Sequence, residues 1–207
     1  LAAGPKKDNS TLRQKVALRR SALQALGGGA PVILESHGGK GEIFKRCYSH
    51  VEQGVVFETD PRKTAVLSRQ RPTWAVYEAD CVSAMGAGVG FHLPFNFADF
   101  DPYGDPWPVV KAFLGNADHL AGRLVIVVND GLRQGAKMGI AWQCESLQEA
   151  VAEHGNAFIY EHYLTVCQEL MQKAAAQAGY SLSRWTGYYC GHAKQMTHYA
   201  AVLERKA

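Results

Sequence analysis

Short apolar runs recur along the first two thirds of the chain, at Pro31–Ser36, Gly54–Asp60, Thr73–Asp80, Phe95–Asp101 and Arg123–Asp130. Most are nearly continuous and rich in β-branched or aromatic residues, the pattern of strands buried on both faces. Helical stretches separate most of them, at about 41–51, 61–70 and 106–120. Strands alternating with helices predict βαβ units and a parallel sheet. Ahead of them, residues 1–10 read as a loose tail. Ser10 or Thr11 then caps a helix that runs to about Leu26 and stops at Gly27-Gly28-Gly29. Leu12, Val16, Leu23 and Leu26 fall close to one face of it, which predicts that it docks on the body.

The last third breaks the alternation. Residues 131–157 are polar and less regular, and read as an insertion or substrate-facing loop. Phe158–Ala178 predicts one long helix, with Ile159, Tyr163, Val166, Leu170 and Ala174 at helical spacing and Gly179 at its end. The two closing runs, Ser181–Cys190 and Gln195–Glu204, are joined by only about five residues, too few for a parallel crossover. They are expected to pair antiparallel. The reading is an α/β three-layer sandwich around a seven-stranded, mostly parallel sheet whose last strand is antiparallel. A basic tail and helix (1–30) precede the α/β domain (31–207).

Composition narrows the class. A chain of 207 residues, 47% hydrophobic and 20% charged, suits one globular domain with a full core. No apolar run approaches the roughly 18 residues of a membrane span, and the opening LAAGPKKDNS has no secretory apolar region. The cysteines (Cys47, Cys81, Cys144, Cys167, Cys190) are odd in number and include no C-x-x-C pair. A reduced, cytoplasmic setting without a metal site is expected. The net charge of +3 conceals an asymmetry: residues 1–30 carry Lys6, Lys7, Arg13, Lys15, Arg19 and Arg20 against a single acid, Asp8. That segment reads as a phosphate-contacting arm, with Arg13, Lys15, Arg19 and Arg20 as nucleic-acid contacts. A solvated helix face is the plainer alternative.

Chemistry concentrates where the strands end. Four of the first five runs close on an acidic residue, and the first has Glu35 just before its end. On a parallel sheet these carboxylates collect at the ligand-binding edge. Leaving them unpaired in a core would be costly. The first turn reads Glu35-Ser36-His37-Gly38-Gly39-Lys40-Gly41, and its glycines allow close backbone approach to a ligand. A phosphate-binding loop requires Gly-Lys-Ser/Thr, and Lys40 is followed by Gly41. A dinucleotide fingerprint requires a third glycine where Phe44 stands. Glu58 lies 19 residues after Gly39, where a carboxylate can accept both hydroxyls of a ribose.

Glu35-x-His37-x-Gly39-x-Gly41 resembles motif I of class I, Rossmann-like, S-adenosylmethionine (SAM)-dependent methyltransferases, with His37 in place of the first glycine. Tyr77-Glu78-Ala79-Asp80-Cys81 resembles motif III of that class. The resemblance implies that Asp80 accepts from the adenine amino group and that the Cys81 amide donates to the ring. It implies a cofactor set of Glu35, His37, Gly39, Gly41, Glu58, Asp80, Cys81 and Asp99. Asp101-Pro102-Tyr103-Gly104 resembles motif IV of amino-methylating enzymes, and more closely the Asp-Pro-Phe-Gly form of tRNA guanine-N2 dimethyltransferases. In those enzymes the next strand ends near Thr-Asp, comparable with Asn129-Asp130 here. The resemblance is to the fold over about 31–204 and to motifs only at the four strand ends. The additional C-terminal domain of the tRNA enzymes has no counterpart.

An exocyclic base amine is a poor nucleophile, because its lone pair is delocalised into the ring. Asp101 and the Pro102 carbonyl would accept its two N–H bonds and aim the lone pair at the SAM methyl, while Tyr103 stacks on the base. The expected function is therefore SAM-dependent N-methylation of a nucleic-acid base, with tRNA or other RNA favoured over DNA. The alternatives are methylation of a protein or small-molecule amine, and a non-catalytic SAM-binding protein.

Overall fold

The apolar runs form strands and the intervening stretches form helices in the computed structural model, which describes residues 11–206. In chain order the elements are α1 (Leu12–Gln24), β1 (Val32–Glu35), β2 (Gln53–Glu58), α2 (Pro61–Gln70), β3 (Ala75–Glu78), α3 (Cys81–Gly86) and β4 (Phe95–Phe100). There follow α4 (Trp107–Leu114), β5 (Leu120–Asp130), α5 (Arg133–Lys137), α6 (Gln148–Glu161), α7 (Tyr163–Gln177), β6 (Tyr180–Cys190) and β7 (Met196–Arg205). Among the described residues, no helix is long and apolar enough to cross a membrane.

All seven strands join one sheet in the order β3-β2-β1-β4-β5-β7-β6. β1 to β5 pair parallel, while β7 inserts antiparallel between β5 and β6. The chain order reverses between β1 and β4, and ligands on such sheets bind beyond the carboxyl ends at that reversal. Strand alternation divides the core in two. Leu34, Ala98, Phe100, Ile126 and Val128 face α3, α4 and α7. Ile33, Phe97, Val125 and Val127 face the other way, toward α1, a π turn at Phe44–Tyr48 and α2.

Three expectations differ from the fold. The helix expected over 41–51 is chiefly that π turn, which buries Phe44, Cys47 and Tyr48 together. The stretch 131–157 is not a loop: α5, two 3₁₀ turns and α6 occupy much of it. The single helix expected at Phe158–Ala178 is two helices that break at His162, so that Tyr163 turns inward to Asp130. The tail expected over 1–10, and Ser10 as a cap, lie outside the described residues. Thr11 precedes α1 but makes no side-chain cap bond.

The docked face of α1 also differs from its apolar reading. Leu18, Arg19 and Ala22 are its buried residues, with Leu26 buried just beyond. Val16 and Leu23 only flank this face. An arginine thus sits at the centre of a helix–sheet interface, and its partner explains why.

Candidate functional site

The ends of β1 and β4 lie side by side. Glu35 is in register with Asp99, and the Ser36 amide donates to the Asp99 carbonyl at 3.0 Å. Every second residue of a strand shares a face, so Asp99 and Asp101 both point toward α1. Along α1, Lys15 and Arg19 are one turn apart on one face. Four helical residues rise about 6 Å and two strand residues about 6.6 Å, so the two pairs match.

Arg19 grips Asp99 with both ends of its fork: Nε to Oδ2 at 2.7 Å and Nη2 to Oδ1 at 2.6 Å. Such bidentate pairs are the strong form of ion pair. The Tyr48 hydroxyl donates to the same carboxylate at 2.7 Å. Lys15 Nζ donates to both Asp101 oxygens at 2.9 Å. Burial acts to raise the Asp101 pKa, but Arg19 and Lys15 outweigh it and hold it below the usual carboxylate value. Beside them, Arg71 Nη1 donates to Glu35 Oε2 at 2.5 Å, with the guanidinium over the Phe44 and Trp74 rings. Burial pushes the Glu35 pKa up, and Arg71 pulls it back.

The glycine turn packs tightly on one side and lies open on the other. A Cβ on Gly38 would meet Leu67 and Val56 at 2.5 and 2.6 Å, so only glycine fits there. Gly39 and Gly41 adopt φ of +53° and +75°, and a Cβ on Gly39 would meet nothing within 4 Å. The Glu58 carboxylate is aimed at this turn. Its Oε2 accepts from the Gly39 amide at 2.9 Å, and its Oε1 accepts from the Thr59 and Asp60 amides at 3.0 Å. His37 sits between Ser36, which is 2.6 Å from its Nδ1, and Cys81, whose sulfur is 3.9 Å from its Nε2. Burial lowers its pKa and favours the neutral ring. Asp80 caps α3 through the Ser83 amide at 2.8 Å, which lowers its pKa.

The expected residues fall into three groups. His37, Gly39, Glu58, Asp80 and Cys81 lie on the β1–β3 side of the edge, with open space at Gly39, whereas Gly41 is buried against Gln70, where a Cβ would meet Oε1. Glu35 and Asp99, assigned to the cofactor set, are instead taken up in buried ion pairs with Arg71 and Arg19. Asp101 stands at the β4 end beside Pro102, and the Tyr103 ring is 94% exposed there.

The basic arm needs the larger correction. Arg19 is fully buried on Asp99, and Lys15 is held on Asp101, so in this structure neither presents its charge to a phosphate. Arg13 and Arg20 do line the surface, with Arg46 of the π turn, around a groove of about 350 Å³. Arg46 gave no signal in the sequence, because it belongs to a different element. Arg71 and Tyr48 give no signal either, and Asp130, one of the acids expected at the ligand-binding edge, is instead fully buried against Tyr163 and Tyr199.

Asp130, at the end of β5, anchors the opposite face. Its carboxylate accepts from Tyr163 at 2.9 and 3.0 Å, from Tyr199 at 3.2 Å and from the Leu132 amide at 2.8 Å. Burial nevertheless raises its pKa to about 7, against the opposing effect of these donors. In an unfolded chain the value is about 3.9. The folded state therefore binds the proton more tightly. The stability this gives is fully present below about pH 4 and is lost as pH rises through about 7, a change of roughly 4 kcal/mol at most. Asp130→Asn should remove this slope. The check is urea unfolding of both proteins between pH 4 and 8, where the stability difference should change with pH. Parallel curves would reject the assignment.

The strand order, with its antiparallel β7 and its reversal between β1 and β4, is that of the class I SAM-dependent methyltransferase fold. No protein-family model matches the chain, and no curated protein sequence matches it. Solved structures do. The N-methyltransferase NodS from Bradyrhizobium japonicum WM9 superposes with a TM-score of 0.60 at 12% identity, over 96% of this chain and 99% of that one. The plantazolicin methyltransferase BpumL in complex with S-adenosylhomocysteine (SAH) gives 0.59 at 10% identity, over 97% and 86%. M. jannaschii TYW2 in complex with AdoMet gives 0.56 at 14% identity, over 99% and 80%. At such identities the likeness establishes the fold.

Proposed function

We propose that this chain is a SAM-dependent N-methyltransferase acting on an exocyclic amine of a nucleic-acid base, with RNA favoured over DNA. The observation that carries the reading is the occupant of Asp101. Both of its oxygens already hold the N–H donors of an amine-type nitrogen, that of Lys15, at 2.9 Å. The Asp101 carboxylate can thus accept two N–H groups of one nitrogen, which supports a role in orienting an amine. NodS, named as an N-methyltransferase, shares the fold and lends support.

The cofactor reading rests on the fit of the β1–β3 edge. Open space at Gly39, the fixed Glu58 carboxylate and the exposed Asp80 suit a nucleoside with vicinal hydroxyls. BpumL and TYW2 were each solved with a ligand of this kind. When bound, SAM supplies an electrophilic methyl group on a sulfonium sulfur. The remaining steps belong to the protein. The acceptor amine displaces the Lys15 ammonium, Asp101 and the Pro102 carbonyl take its N–H bonds, and Tyr103 stacks on the ring. With Arg19 still nearby to favour its charged form, Asp101 orients the amine as a carboxylate, and the released proton passes to water. Arg13, Arg20 and Arg46 are placed to take backbone phosphates.

Gly39→Val should abolish SAH binding, because it fills the open space and strains a left-handed backbone. Glu58→Ala should weaken binding by roughly 1.5–3 kcal/mol, the worth of a charged hydrogen-bonding group. Calorimetric titration with SAH checks both, and wild-type affinity in Gly39→Val would remove the site from this turn. For the reaction itself, tritiated-methyl transfer from SAM onto fractionated tRNA, rRNA, DNA and protein is decisive. Label in RNA is the expected result. Label confined to protein would reject the base-methylation reading.

A further inference from the structure

At the carboxyl edge, β5 and β7 set two polar side chains opposite each other: Asn129 is in register with His198. Both residues are fully buried. In the parallel pair of β4 and β5, Asp99 aligns with Val127, so Asn129 comes level with Asp101, on the face covered by α1. His198 lies close enough to feel the charges of Lys15, Arg19 and Asp101.

These side chains are poorly satisfied where they are. Neither Oδ1 nor Nδ2 of Asn129 has a hydrogen-bond partner, and neither has Nε2 of His198. The Asn129 amide lies near enough to Asp101 to help hold its pKa down as a weak donor, short of a well-formed hydrogen bond. Nδ1 of His198 is engaged by the Tyr188 hydroxyl at 3.2 Å. Burial, and then Lys15 and Arg19, press the imidazole pKa down to about 3. The ring is therefore neutral and offers one donor or one acceptor at Nε2. Burying such groups without partners is expensive, and leucine or phenylalanine would pack there at lower cost. Polar side chains that await partners beside Asp101 indicate a ligand with hydrogen-bonding atoms next to its amine.

We propose that Asn129 and His198 read the acceptor, pairing with the donor and acceptor atoms that flank the target amine once Lys15 leaves Asp101. The inference rests on the base-methylation reading and deepens it. A nucleobase carries a ring nitrogen beside each exocyclic amine, and a carboxamide can answer it as donor or acceptor. An alkylammonium presents donors only and, in place of Lys15, would leave the acceptor-seeking atoms of both side chains unanswered. Lys15, itself an alkylammonium, satisfies Asp101 but leaves Asn129 and His198 without partners; a planar heteroaromatic amine would pair with all three.

The test compares wild type with Asn129→Leu and His198→Phe in three measurements. These are SAH affinity, thermal midpoint, and methyl transfer from tritiated SAM to unfractionated RNA and single-stranded DNA, with spermidine as the alkylamine control. SAH affinity should stay within about twofold. Asn129→Leu breaks no well-formed hydrogen bond and removes only the weak amide contact to Asp101, so its midpoint should stay within about 2 °C of wild type. In both variants kcat/KM on nucleic acid should fall at least about tenfold, the loss of one good base contact. A purely structural role gives the reverse pattern, in which Asn129→Leu loses midpoint, SAH affinity and activity together, and that result overturns the proposal. Equal labelling by wild type and both variants overturns it while leaving the base-methylation reading intact. Label in spermidine alone, or in no acceptor, overturns both.

Discussion

Asp101→Ala should fold and bind SAH as the wild type does and lose methyl transfer by a factor of about 10²–10³. That is the usual cost of removing one group that stabilises charge developing in the transition state. The side chain is partly exposed and its partner Lys15 can turn to water, so the fold does not depend on the pair. Asp101→Asn keeps one acceptor oxygen and should retain more activity than alanine. Tyr103→Phe should be mild, because stacking needs only the ring, whereas Tyr103→Ala should be severe. A general base would give another order, with asparagine as inactive as alanine and wild-type activity rising through a carboxylate titration. Steady-state rates for the four variants, with SAH affinity as the control, decide the matter. Wild-type turnover in Asp101→Ala would mean that Asp-Pro-Tyr-Gly is only a turn.

Arg19→Met should destabilise the protein more than any change at the exposed edge. Arg19 and Asp99 are both almost fully buried, and only the Tyr48 hydroxyl would remain on the carboxylate. Removing one partner of such a pair typically costs about 3–5 kcal/mol, because the other charge stays buried. In a domain of this size that corresponds to a fall of roughly 6–20 °C in thermal midpoint. Replacing both partners, as Arg19→Met with Asp99→Leu, should recover much of the loss, since no charge is then stranded. A solvated basic arm makes the opposite prediction: Arg19→Met would be silent in a melt and would lower only nucleic-acid affinity. A midpoint within about 2 °C of wild type would therefore return Arg19 to the surface.

The pairing also changes what α1 is for. A helix that places Lys15 and Arg19 on two carboxylates of the central strand covers the β4 end of the edge. Under the proposed function, an acceptor must compete with Lys15 for Asp101, while Arg19 keeps the helix on the sheet. Arg13 and Arg20 remain for phosphate, so one helix would serve both substrate entry and substrate charge.

Local pattern was enough for the scaffold. Continuous apolar runs ending in acids specified parallel strands and their order of chemistry. The short link before β7 required an antiparallel pair, and Asp101-Pro102-Tyr103-Gly104 marked the end of the central strand. These features depend on residues a few positions apart, where burial and strand alternation leave a direct trace. The partners of those acids did not. Arg19 meets Asp99 from 80 residues away, Lys15 meets Asp101 from 86, and Arg71 meets Glu35 from 36. A run of basic residues on a helix is normally solvated, so sequence turned these charges outward. Only docking could turn them inward, by matching one helical turn to two strand residues. Sequence places Asn129 at the end of β5 but not opposite His198: β5 and β7 are distant in sequence, and only their pairing brings the two side chains together.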